Sequence, residues 1–189
     1  MILLLDLCFR EGSLSFPEFV SPIRRIVEKS GGEAETIHYS DLDSLPTGIS
    51  GIILCGTALK DNSYLEHPDR FCWLERSRIP VLGICAGMQV LARLLGGEVV
   101  RAPEIGMTEV KVTQKDVVLG DERIFPAYEL HNFGVTLPPG CTELAGSGCC
   151  IQAFLSRERP WWGVMFHPEV RNEWVVERFV GVSLSGPAD

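Results

Sequence analysis

Between Pro80 and Leu91 the chain makes a demand that few folds can meet. An apolar run, Val81-Leu82-Gly83-Ile84, ends at Cys85, and a helix-like pattern begins at once behind it. A strand that runs straight into a helix must turn sharply. Glycine two positions before the cysteine (Gly83) and two positions after it (Gly87) relieves the crowding at such a turn. The sulfur then stands clear of the chain at the positive end of the helix, where a thiolate is favoured. This is the geometry of a nucleophile elbow with a thiol in place of a hydroxyl.

A nucleophilic thiol needs a base, and the base needs an orienting group. Both are present in Gly163-Val164-Met165-Phe166-His167-Pro168-Glu169, another apolar strand ending in polar residues. His167 and Glu169 are two apart, so on extended chain they point the same way. Pro168 fixes its own φ and biases His167 toward extended backbone. Glu169 is placed to hold one imidazole nitrogen while the other faces the thiol.

The rest of the sequence predicts a scaffold for such an edge. The 189 residues suit a single domain, 1–189, with 183–189 as a frayed tail. Ile2–Asp6 and Gly51–Cys55 read as buried strands and Glu33–His38 as an edge strand. Ile23–Glu28 and Gly87–Leu95 have helical spacing, the latter stopped by Gly96-Gly97. Cys8–Pro22 reads as a loop, and Leu65–Arg76 as helical toward its end. The order implies a parallel sheet covered on both sides, a three-layer α/β/α arrangement with its site at the C-terminal strand ends. After Gly97 the pattern changes. Glu98–Arg101, Thr108–Thr113, Ala127–His131, Cys149–Phe154 and Trp161–Phe166 read as strands of a more antiparallel half, followed by a closing helix from Trp174. Alternation along the Trp161-Trp162 strand predicts one ring packed and one near the surface.

Composition narrows the partners. A net charge of -8 argues against nucleic acid and anionic membrane. No segment reaches membrane-spanning length, and the start reads as a first strand and not as a signal peptide. Seven cysteines, without staple-like spacing and without a zinc-type Cys-x-x-Cys pair, fit a reduced, cytoplasmic protein with no metal and no cofactor.

Taken together, Gly-Ile-Cys-Ala-Gly-Met-Gln at 83–89 and His167-Pro168-Glu169 resemble the class I, triad-type glutamine amidotransferases, and the resemblance covers nearly the whole chain. Within that family the Gly-Met-Gln after the cysteine is most similar to the glutaminase part of GMP synthase, which in some archaea is a separate subunit. The resemblance implies a flavodoxin-like core and L-glutamine as substrate. It also implies hydrolysis to glutamate and ammonia through a Cys85 thioester, and a separate synthase that accepts the ammonia. It assigns Cys85, His167 and Glu169 to catalysis, the backbone N–H groups of Thr57 and Ala86 to the oxyanion hole, and Gln89 to holding the substrate; Gly56 and His131 are further candidates for substrate binding. Physically, one of those N–H groups opens a helix and the other follows a neighbouring strand, so both can converge on a carbonyl.

Three stretches depart from the family pattern. Cys55-Gly56-Thr57-Ala58 stands where a second glycine is common. Asp6-Leu7-Cys8 leads into a longer segment than usual. Leu130-His131-Asn132-Phe133 keeps a histidine but lacks the acid that tends to follow it. Two other readings remain open on sequence. One is a self-sufficient γ-glutamyl hydrolase with the same triad and a wider pocket. The other is a non-catalytic binding or regulatory protein on the same fold. His131 reads either as a surface histidine or as a wall of the glutamine pocket.

Overall fold

The structure is a computed structural model and describes residues 1–186. Nine strands form one sheet, in the order β2-β1-β3-β4-β9-β8-β7-β5-β6. Strands β1 (Ile2–Asp6), β2 (Ala34–His38), β3 (Gly51–Leu54), β4 (Val81–Ile84) and β9 (Trp161–Val164) pair in parallel. β5 (Val99–Val112), β6 (Arg123–Val135), β7 (Cys141–Gly146) and β8 (Ile151–Ser156) make the antiparallel half. β2, the most polar of the parallel strands, lies at the sheet edge, as its composition predicts.

Helices cover both faces of the parallel half, so its strands are apolar on both sides. Leu4, Ile53, Leu82 and Ile84 point to one face. They pack there with Ile23 and Val27 of α2 (Ser21–Lys29) and Val175 and Phe179 of α5 (Trp174–Leu184). Leu3, Leu5, Leu54 and Val81 face the other way. They meet Met88 and Leu91 of helix Ala86–Leu94, and Phe71 and Leu74 of a 3-10 segment, Pro68–Arg76. The fold is thus a mixed α/β sheet with flanking helices and an added antiparallel region. Among the described residues, no helix is long and apolar enough to cross a membrane.

Several boundaries differ from the sequence reading, each for an identifiable reason. The segment 8–22 is not all loop. Phe16–Phe19 forms a short helix, α1, with Pro17 in its first turn. The predicted helix over 65–76 splits at Pro68 into α3 (Ser63–Glu66) and the 3-10 segment. The two short strands expected over 98–113 are one long strand, β5. It accommodates a register shift between Arg101 and Glu104 and a glycine, Gly106, at φ 107°. β7 has no counterpart in the sequence reading. Trp161 and Trp162 are both buried, at 0% and 5% exposure, because helices cover both faces of β9. The tail expected to fray from residue 183 is helical through Leu184, with Ser183 buried; residues 187–189 of that tail lie outside the described range.

Candidate active site

Parallel pairing places the ends of β1, β3, β4 and β9 along one edge of the sheet. Cys85 follows β4 directly and opens α4 (Ala86–Leu94). Its backbone sits at φ 49°, ψ -102°, and among the described residues it is the one non-glycine with positive φ. Such a conformation costs on the order of 1–3 kcal/mol and persists only where surroundings impose it. The Cys85 N–H donates to Val164 O at 2.8 Å, and the Cys85 carbonyl accepts the first helical bond from Gln89 N at 3.1 Å. Strand and helix press together here. A Cβ on Gly83 would stand 2.5 Å from the Gly87 carbonyl, and one on Gly87 would strike Leu54 O. Both glycines are therefore requirements of the elbow.

His167 follows β9, with Glu169 two residues on. The ring Nδ1 lies 2.7 Å from Glu169 Oε1, and both side chains are almost wholly buried. With Nδ1–H donating to the carboxylate, Nε2 is the nitrogen free for the thiol; it has no hydrogen-bond partner among the described residues. The Cys85 thiol donates instead to Leu130 O at 3.8 Å. Burial alone depresses the proton affinity of His167 and is the largest single influence on it. The charges of Glu169 and then Cys85 outweigh it, so the pKa lies well above the ordinary histidine value.

Gly56 lies against the back of this ring, where an added Cβ would stand 2.8 Å from His167 Cε1. Gly56→Ala is expected to displace the imidazole and lower kcat by about 10²-fold, the scale of an ångström-sized misplacement. Steady-state turnover by the folded variant at the wild-type rate refutes this packing role.

The cleft beside Cys85 is bounded by Thr57, Ala86, Gln89 and His131, together with Asp61 and Asn132. Four of the expected site residues thus share one cleft with Cys85, while Gly56 lies behind His167. The Gln89 amide is held at both ends. Tyr64 Oη donates to its Oε1 at 2.6 Å, and its Nε2 donates to Phe133 O at 2.9 Å. The cleft is narrow, about 20 Å³. That is room for a water and not for a carboxamide side chain. Asn132 Nδ2 donates to Leu59 O at 3.1 Å and so ties β6 to the loop after β3 across this space. A roomier hollow, about 400 Å³, lies by Glu75, Leu95 and Arg159, but its lining contains no cysteine and no histidine.

His131 is buried at 2% exposure, which removes the surface reading. Its Nε2 is 3.2 Å from Glu129 Oε2 and 3.9 Å from Glu104 Oε2. Glu129 is fully buried, and neither of its oxygens has a hydrogen-bond partner among the described residues. Burial, the largest effect, raises its pKa, while His131 lowers it. Glu104, Glu129 and His131 are close enough to share a metal ion. Glu104, however, already accepts from Thr108 at 2.8 Å, Gln152 at 3.1 Å and Ser147 at 3.2 Å, so the group reads first as a polar network. Sequence reasoning misses Glu129. Its one signal is its place two residues before His131 on one strand face.

Residues 17–174 match the class-I glutamine amidotransferase family. The chain belongs to that family. A glutamine-hydrolyzing GMP synthase subunit of Sulfolobus acidocaldarius is 40% identical over 105 residues, 53% of this chain and 56% of that protein. The match thus spans little more than half of that relative's length. The corresponding protein of Pyrococcus abyssi is 37% identical over 165 residues, 81% of this chain and 85% of the relative. A crystal structure from Thermoplasma acidophilum, also described as a GMP synthase subunit, superimposes with a TM-score of 0.83 at 27% identity. It covers 97% of this chain and 94% of that one. This amidotransferase domain is therefore closely related to the glutamine-hydrolyzing subunits of GMP synthase.

Proposed function

We propose that this amidotransferase hydrolyses L-glutamine and passes the ammonia to a separate synthase, one that makes GMP. The observation that carries the reading is Cys85, held at φ 49° on the first turn of α4 beside an imidazole whose far nitrogen Glu169 grips at 2.7 Å. In this mechanism the Cys85 thiolate attacks the side-chain carboxamide carbon, and the tetrahedral oxyanion forms against the N–H groups of Ala86 and Thr57. The first N–H groups of a helix have no partner within it, so the Ala86 N–H is free for this role. His167 gives its proton to the departing amine, ammonia leaves, and a glutamyl thioester remains. Water then attacks that carbonyl as His167 takes its proton, and collapse of the second oxyanion returns the thiolate and glutamate.

The narrow cleft favours this reading over a self-sufficient γ-glutamyl hydrolase, which needs a wider pocket. It also implies that the lone chain turns over slowly. The Asn132–Leu59 contact spans the place a carboxamide must enter, and a synthase seated on that rim can open it. With a cognate synthase loaded with its own substrate, kcat for glutamate release is expected to rise more than tenfold, or about 1.4 kcal/mol in the barrier. The measurement is steady-state glutamate release with and without the synthase. A kcat of tens per second for the chain alone, or faster cleavage of γ-glutamyl peptides than of glutamine, sinks the reading.

A further inference from the structure

Asp61 is a buried acid that the mechanism above leaves unused. It closes a turn in the loop after β3, its N–H donating to Ala58 O at 2.8 Å. One carboxylate oxygen, Oδ2, accepts from Thr57 Oγ1 at 2.8 Å. The other, Oδ1, is buried and has no hydrogen-bond partner among the described residues, although the residue is only 9% exposed. A carboxylate oxygen withdrawn from water without a donor is a net cost to the fold, which a cationic donor would offset.

The place of this oxygen gives it meaning. Asp61 lines the same cleft as Cys85 and is the one aspartate or glutamate in that lining. Tyr64 lines the same cleft as Cys85 and Asp61. Two neighbouring polar groups are committed, since Tyr64 Oη and both ends of the Gln89 amide bond one another or Phe133 O. To this lining the facing strand β6 supplies Leu130, His131, Asn132 and Phe133, and no acid.

We propose that Asp61 Oδ1 receives the α-ammonium group of the amide substrate, so that the cleft selects amides carrying a free α-amine. The proposal rests on the glutaminase reading and names the group that fixes the far end of the substrate. It also links recognition to chemistry. The Thr57 hydroxyl holds Asp61 while the Thr57 N–H faces the developing oxyanion, so an ammonium drawn to Asp61 steadies the loop that carries an oxyanion donor. Binding energy gained at the unreactive end is thereby used at the reacting carbon.

The test uses the full chain and two chloroketone analogues of glutamine, one with a free α-amine and one Nα-acetylated. The rate of Cys85 modification is followed by intact mass and peptide mapping. Wild-type protein is expected to react about 100-fold faster with the free amine, a modest value for a buried charged contact. In Asp61→Asn, which keeps an oxygen for Thr57, the preference falls below about tenfold, through a slower reaction with the free amine. Asp61→Glu restores part of it. A wild-type preference below tenfold overturns the proposal without recourse to any variant. So does a folded Asp61→Asn protein that keeps the full preference. If neither ketone modifies Cys85, with or without the cognate synthase, while iodoacetamide does, the glutaminase reading has failed and the proposal falls with it, a result distinct from both of the others.

Discussion

Cys85→Ala is expected to remove glutamine hydrolysis, a loss of about 10⁶-fold in kcat, because the members of such a catalytic unit act together. Alanine keeps the Cβ and leaves the elbow intact, so far-UV spectra and thermal midpoint should change little. The same assignment predicts which of the seven free cysteines takes the label from an amino-acid-shaped chloroketone. Cys55 is buried with its pKa raised by desolvation, and burial together with the Asp6 carboxylate pushes Cys8 up to about 12. Burial also pushes Cys150 up to about 12 and raises Cys141. These four are poor nucleophiles at neutral pH. Cys72 and Cys149 are exposed and compete for any small alkylating agent, but neither lines the Cys85 cleft. Peptide mapping that finds the substrate-like label on Cys72 or Cys149, with Cys85 free, defeats the nucleophile assignment. Full turnover by Cys85→Ala does the same.

The parallel half of the sheet was legible because its signals are local. Ile2–Asp6, Gly51–Leu54 and Val81–Ile84 are unbroken apolar runs of strand length, and each ends at a residue suited to a turn or a reaction. The constellation at the sheet edge was legible for a related reason. The elbow needs Gly83 and Gly87, and the His-Pro-Glu run orients itself through a two-residue period. What could not be read is what depends on the second half folding back. The long β5–β6 hairpin brings Leu130, His131 and Asn132 to Cys85, and nothing between residues 99 and 135 announces that register. Glu104 stands opposite His131 in the hairpin pairing. The Glu104–Glu129–His131 network thus arises from a cross-strand pairing that no spacing in the sequence encodes.

The Trp161-Trp162 pair shows the same limit from another direction. Alternation sends the two rings to opposite faces, as expected, and then a one-sided sheet exposes one of them. Both faces of β9 are covered, one by α4 and the other by α5, so both rings are buried. The error lay in assuming a free face and not in the period. Likewise Asp61 has no sequence signal of its own. An acid in a polar loop is ordinary, and only its burial beside Cys85 gives it weight.

His167→Ala is expected to lower kcat by about 10⁴-fold, the upper range for a positioned acid–base group, in protein that remains folded. Glu169→Gln should cost less, roughly tenfold to 10²-fold, because a carboxamide oxygen can still accept the Nδ1–H and hold the ring. The two variants separate further in pH dependence. In the wild type, Glu169 and Cys85 raise the His167 pKa against the opposing effect of burial, so the ring keeps its proton above the ordinary histidine range. The departing amine takes that proton, so the alkaline limb of kcat/KM in the wild type lies well above about 6.5, the value for an unperturbed imidazole. Replacing Glu169 by the neutral Gln removes the nearest attractive charge and lowers the ring's proton affinity, so the alkaline limb moves to lower pH. The direction in which the limb moves is the diagnostic. A Glu169→Gln profile that keeps the wild-type alkaline limb, or moves it upward, rules out the carboxylate as the group that holds the imidazolium.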